Sequence, residues 1–221
     1  METITTLIRS SLLIAMLLPL PATLAGCGPS TLASQSLQDA RVVDRFRILR
    51  KIDESTLSDA TGVIVMEFGR GGLGLGMSAG HGVAVRRLGD RWSPPVPVDL
   101  VSGSIGAQIG GEGGRIMLVC RTVESFDRLV FDGASFLAEA SGTAGNATGG
   151  AGRPTDRPEV EVLTDVGGLY GGAVIGGFSI QVDSTTLKKA YGKGVGPRQV
   201  LDDVDVAIPA GKETLWTALN G

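Results

Sequence analysis

Gly62-Val63-Ile64-Val65-Met66-Glu67-Phe68, a passage through Gly71-Gly72-Leu73-Gly74-Leu75-Gly76, and then Gly80-His81-Gly82-Val83-Ala84-Val85-Arg86-Arg87 decide the fold. The two apolar runs are short and rich in β-branched residues, which predicts two strands joined by a glycine-rich turn. Glycine is unusually abundant, 34 residues of 221, where about 7% is ordinary. These glycines fall between Val- and Ile-rich runs without a collagen-like period, so they predict bends and bulges in a curved sheet.

Working outward, Gly89-Asp90 predicts a turn before Trp92-Ser93-Pro94-Pro95. The glycine-punctuated run Ser104 to Gly110 leads to Arg115-Ile116-Met117-Leu118-Val119-Cys120, which reads as a buried strand. Residues 123–131 suit a short helix with Val123, Phe126, Val130 and Phe131 on its apolar side. Ser141 to Arg157 is rich in Gly and Ala and reads as a loop. Pro158 to Thr164 alternates Val160 and Val162 with Glu159 and Glu161, the period of a half-exposed strand. Leu169 to Val182 is a glycine-broken apolar ribbon; Leu187–Tyr191, Pro197–Leu201 and Thr214–Leu219 read as short helices. The expected class is α+β: a curved, mainly antiparallel β-sheet tending to a barrel, with an N-terminal helix and short flanking helices.

That N-terminal helix is expected over Leu37–Ile52. Val42, Val43, Phe46 and Leu49 share one arc at 100° per residue, while Leu37, Ile48 and Ile52 fall opposite. Arg41, Arg45, Arg47 and Lys51 are spread around it. A helix apolar on two sides is better placed between domain elements than flat on a membrane.

The start of the chain carries an address. Arg9 precedes the unbroken apolar run Leu12–Leu18, and Leu24-Ala25-Gly26-Cys27 matches a lipoprotein cleavage site. The run is too short to span a bilayer, which takes roughly 20 apolar residues, so residues 1–26 read as a processed signal. Cys27 would then become the lipidated first residue, and several acyl chains give stable anchoring. The other reading is an ordinary signal peptide cut after Ala25 or Gly26, leaving a free thiol. Gly28 follows the cysteine, with no Asp to signal inner-membrane retention, so the expected location is the outer membrane, facing the periplasm. Residues 27–36 read as a tether and 37–221 as a single domain.

Composition removes other classes. Cutting off residues 1–26 removes one Arg and one Glu and leaves the net charge of −3 unchanged, which speaks against nucleic acid as a partner. With Cys27 lipidated, Cys120 has no disulfide partner and reads as a buried structural thiol. Gly72-Leu73-Gly74-Leu75-Gly76 is followed by a strand after Gly82, where a dinucleotide site needs a helix N-terminus. Gly192-Lys193-Gly194-Val195-Gly196 lacks the Lys-Ser/Thr ending of a phosphate loop. His81 is the only histidine, so a His-rich metal site is excluded and a catalytic triad would hang on one residue between two glycines. No cofactor and no catalytic activity are expected.

Six motifs occur in order: Ala60-Thr61-Gly62; Gly80-His81-Gly82-Val83; Trp92-Ser93-Pro94-Pro95; Ser104-Ile105-Gly106-Ala107-Gln108-Ile109-Gly110-Gly111-Glu112; Gly167-Gly168-Leu169-Tyr170-Gly171-Gly172; and Tyr191-Gly192. Together they resemble the SYLF domain family over about residues 37–203. The resemblance implies a non-enzymatic lipid-binding domain; eukaryotic members bind phosphoinositides and, in some yeast proteins, actin. The chain departs from the eukaryotic pattern in its N-terminal helix, which does not segregate its charges. A periplasmic protein also meets neither actin nor, ordinarily, phosphoinositides.

For contact with anionic lipid, basic residues near glycine-rich turns are the candidates: Arg86, Arg87 and Arg91 around one hairpin, and Lys188, Lys189 and Lys193 near Tyr191. Trp92 and Tyr191 read as packing anchors. The expected function is a lipid-anchored, non-catalytic envelope protein whose domain binds membrane lipid, as anionic phospholipid or an acyl ligand. The alternative is a structural or protein-interaction module that uses lipid only as a tether.

Overall fold

In the computed structural model the described residues are 31–133, 136–140, 147–148, 159–168, 174–204, 206–207 and 211–221. The signal segment and Cys27 lie outside them. Thr31 opens the first helix, α1 (Leu32–Ile48), by a reciprocal cap: its hydroxyl accepts from Ser34 N, and the Ser34 hydroxyl accepts from Thr31 N, both at 3.2 Å. The helix therefore begins inside the stretch expected to be tether. Gln35 and Ser36, polar enough to pass for linker, are buried against the domain. The arc expected to pack does so, with Val42, Val43 and Phe46 buried, while Leu37 and Ile48 are 40% and 76% exposed. Ile52 is buried but follows the helix. A second helical turn, α2 (Glu54–Ser58), is capped by Asp53.

The two strands expected on either side of a glycine turn are one strand, β1 (Gly62–Leu88). It pairs antiparallel with an equally long β3 (Val96–Cys120), from Gly62↔Cys120 to Ala84↔Val96. The glycines stay in the ladder because glycines face them: Gly69 opposes Gly113, Gly71 opposes Gly111 and Gly72 opposes Gly110. The bend comes from register. Leu73 faces Ile109 and Leu75 faces Ile105, so β3 carries two extra residues at that corner, the bulge that turns a sheet over on itself.

The consequence is a close crossing within β1. A Cβ on Gly80 would stand 2.7 Å from Phe68 Cβ and strike the carbonyl oxygen of Glu67; one on Gly82 would strike Val65 O and Met66. The far half of β1 thus lies on its own near half, at a separation only glycine permits. Gln35 of α1 closes this crossing, its Nε2 donating to Gly82 O at 2.6 Å in a buried site.

On the other edge of β3 lie β6 (Val160–Gly168) and β7 (Val174–Val182), the latter part of the expected ribbon; residues 169–173 fall outside the described set. Glu112 pairs with Gly168 and Ile105 with Ile175, seven residues on along both sides, so β6 and β7 share one register. β4 (Phe136–Ala140) pairs with β7, and β5 (Ala147–Thr148) with β6; the rest of the loop expected at 141–157 is outside the described residues. A short β2 (Arg91–Trp92) closes the hairpin at Gly89, whose φ of +61° suits the turn. The sheet runs β2-β1-β3-β6-β5, with β7 and β4 beside β3. It is mainly antiparallel but open, not closed into a barrel, because the bend folds β1 onto itself without pairing the two ends.

Helices α3 (Val123–Val130), α4 (Ser184–Tyr191), α5 (Pro197–Leu201) and α6 (Lys212–Asn220) flank the sheet. In α3 Phe126, Leu129 and Val130 are buried, whereas Val123, expected on the apolar side, is 48% exposed. Trp92, Phe46, Phe126, Met117 and Leu163 form the centre of the core, each contributing about 1.5–3 kcal/mol by its removal from water.

Gly82→Ala is expected to lower stability to urea unfolding by about 1–3 kcal/mol or more, since the neighbour it meets is backbone. Gly69→Ala, with nothing within 4 Å of the added carbon, is expected to change it by less than about 0.5 kcal/mol. Equal effects would contradict the crossing.

Candidate functional site

The two groups of basic residues expected to reach lipid have different surroundings. Arg86 is tied down: Nη2 donates to Asp202 Oδ1 at 2.6 Å, Asp127 lies 3.9 Å from Nη1, and the side chain is only 13% exposed. Arg87 donates to the carbonyl oxygens of Leu57 and Ala60 at 2.8 and 3.2 Å, and its guanidinium lies 4.1 Å above the Trp92 ring. Burial lowers its pKa, partly offset by Asp90. Arg91 pairs with Asp203. These arginines join the hairpin to α2, to α3 and to the turn after α5.

Lys188 and Lys189 occupy the last turn of α4, and Lys193 follows between Gly192 and Gly194, whose φ values are +93° and +97°. All three are exposed, and none makes an ion pair among the described residues. Cations at this end of a helix also meet its negative dipole favourably. The other end is fixed by Asp183, whose carboxylate accepts from Thr185 N and Thr186 N at 2.9 and 3.0 Å. Burial opposes ionisation of Asp183, but those hydrogen bonds and Lys189 outweigh it and lower its pKa.

The aromatic residues serve as anchors. Trp92 is fully buried, its Nε1 donating to Asn220 Oδ1 at 3.1 Å. Tyr191 donates its hydroxyl to Pro95 O at 2.7 Å, and burial, followed by Asp203, raises its pKa. Tyr191 thereby fixes the α4 end from which the lysines project.

His81 stands opposite Asp99 in the β1–β3 ladder. Burial, then Asp183, raises the Asp99 pKa, and His81 partly offsets them. Cys120 is buried, and desolvation pushes its thiol up to about 12 against a weaker opposing hydrogen bond from Ser125. Such a thiol is a packing group, not a nucleophile at neutral pH. Among the described residues no group of three or more His, Cys, Asp or Glu side chains could hold a metal ion.

Sequence reading missed a buried polar stripe on α1. Gln35, Ser36 and Asp39 are all at most 4% exposed. Asp39 Oδ2 has no hydrogen-bond partner, and burial, with Glu67 as a second cause, holds its carboxyl well above the usual carboxylate range. Reading also missed that Glu67, Arg115 and Asp165 share one rung across β1, β3 and β6. No local signal joins three residues so far apart in the chain.

Comparison with known proteins identifies the family. The family model Ysc84, described as Las17-binding protein actin regulator, matches residues 101–221. That is over half of the chain, and the protein belongs to this family, the one that carries the SYLF domain. It is also similar to the SH3 domain-containing protein PJ696.02 of Schizosaccharomyces pombe, at 27% identity over 207 residues. The match covers 87% of this chain and 48% of the relative, so the chain spans about half the length of that protein. No solved structure matches.

The buried carboxyl gives a pH test. Asp39 stays protonated in the fold at pH values where the unfolded chain has ionised, so its contribution to stability falls as pH rises from the ordinary carboxylate range towards its raised pKa. Asp39→Asn removes that loss. In urea unfolding from about pH 4 to pH 8, the variant is expected to gain on the wild type as pH rises. Parallel pH profiles would contradict an Asp39 held neutral by burial.

Proposed function

We propose that this protein is a lipid-anchored, non-catalytic component of the cell envelope, attached through Cys27 to the outer membrane on its periplasmic side. Its SYLF domain binds membrane lipid or an anionic membrane surface. The observation that carries the reading is the exposed group Lys188, Lys189 and Lys193, none of them in an ion pair among the described residues, held on a fixed helix end. Arg86, Arg87 and Arg91 are engaged within the domain and support that end of the fold instead.

From Cys27 to Thr31 the chain reaches at most about 14 Å, which holds the start of α1 beside the bilayer, and α4 packs against α1. Among the described residues no helix is long and apolar enough to cross a membrane, so attachment in this reading falls to the lipid.

A protein-interaction role is the second reading, favoured by the description of the matched family as Las17-binding. In that case the lipid is only a tether, and the domain has no affinity of its own for a bilayer.

Co-sedimentation with phosphatidylcholine vesicles containing phosphatidylglycerol, using the chain from residue 28 onward, separates the two. Each lysine near an anionic surface contributes about 1 kcal/mol. Triple replacement of Lys188, Lys189 and Lys193 by Gln is therefore expected to weaken binding by roughly two orders of magnitude, and salt to weaken the wild type similarly. Absence of wild-type binding at low salt would favour the second reading.

A further inference from the structure

The inner face of α1 changes character along its length. Over residues 32–40 the buried side chains are Leu32, Gln35, Ser36, Asp39 and Ala40; over residues 42–46 they are Val42, Val43 and Phe46. The second half is docked by apolar burial, the first mainly by polar groups that are only partly satisfied. Gln35 has Gly82 O as its acceptor, but Ser36 Oγ and Asp39 Oδ2 have no hydrogen-bond partner. Such a set holds a helix weakly, because each unpaired group has lost water without gaining a partner.

Asp39 gives that weakness a trigger. A buried carboxyl is tolerable while neutral; ionised in place, it becomes a charge with no counter-ion. Glu67 of β1 is the charged group that bears on Asp39, and it opposes ionisation, as burial does. Arg115 of β3 is already paired with Glu67. A cleft beside α1, lined by Gln38, Arg41, Val42, Arg45, Glu67 and Arg115, brings solvent to Glu67 but does not reach Asp39. On the other elements packed against α1, Lys188, Lys189 and Glu213 are exposed and Lys212 lies over the Trp216 ring. His81 stands between Gly80 and Gly82, so its side chain points to the face of β1 away from the crossing.

We propose that residues 32–40 form a strap that opens from β1 when Asp39 loses its proton, while the second half of α1 and the sheet stay folded. Opening returns Asp39, Ser36, Gln35 and Gly82 O to water and uncovers the crossing of β1. Val42, Val43 and Phe46 hold the rest of the helix in place. The β1–β3 ladder is made by the two strands themselves, so it stands with the strap open. The switch is a local event with a distant readout in the exposure of the β1 crossing. It rests neither on the lysine surface nor on attachment through Cys27.

The test is hydrogen exchange of the full chain in detergent, read by mass spectrometry from about pH 5 to pH 9, with each rate divided by the intrinsic rate at that pH. In the wild type, protection of residues 32–40 is expected to fall by about tenfold per pH unit once Asp39 titrates, while residues 42–48 and 115–120 keep theirs. Asp39→Asn retains the shape of the side chain but cannot ionise, and is expected to keep residues 32–40 protected throughout. Ser36→Ala, buried on the same stripe and without a titrating group, is expected to retain the wild-type pH dependence. Urea midpoints at about pH 5 confirm that both variants fold. Protection of residues 32–40 that does not change with pH, a dependence that survives in Asp39→Asn, or equal loss in all three segments would each overturn the proposal. The first and last of these are read from the wild type alone.

Discussion

The crossing of β1 over itself is the constraint on which the rest of the structure depends. Gly80 and Gly82 meet the backbone of Glu67 and Val65 at distances that admit no side chain, and the corner at Leu73 and Leu75 supplies the bend that brings them there. Because β3 follows β1 along almost its whole length, the bend is imposed on the sheet and not on a single strand. Gln35 then joins α1 to Gly82 O. The helix is thereby placed over the rung Glu67, Arg115 and Asp165, and the cleft between them exists for that reason.

Much of this was legible where side chains carry a period. The alternation at Val160 and Val162, the apolar face of 123–131, Pro197 at the start of α5 and the turn at Gly89 each follow from local chemistry. The long strands were not legible, because glycine has no side chain with which to show a strand's alternation. What keeps Gly69, Gly71 and Gly72 extended is their pairing with glycines some forty residues away. The start of α1 was hidden for a related reason: Gln35, Ser36 and Asp39 look solvated, yet they face the interior.

For the candidate site, only the surroundings of the expected residues can be compared with the reading. Lys188, Lys189 and Lys193, picked out by their position beside a glycine-rich turn, are exposed and make no ion pair among the described residues. Arg86 and Arg91, picked out in the same way, pair with Asp202 and Asp203, which lie more than a hundred residues on and become neighbours only through the fold. Arg41 and Arg45 were visible as charges on a helix, but that they line one cleft with Arg115 follows only from the packing of α1 beside β1 and β3. Long-range electrostatic partners are set by topology, and a single sequence does not display them.

What the domain does turns on whether it works beside a bilayer. The chain belongs to the family, and the proposed contact of its lysines with anionic lipid needs a membrane within reach. The direct measurement is the intact mass of the protein purified from membranes of its native host. The account predicts a chain beginning at Cys27 whose mass includes a diacylglycerol and an amide-linked acyl chain. A chain whose Cys27 is unmodified would contradict it.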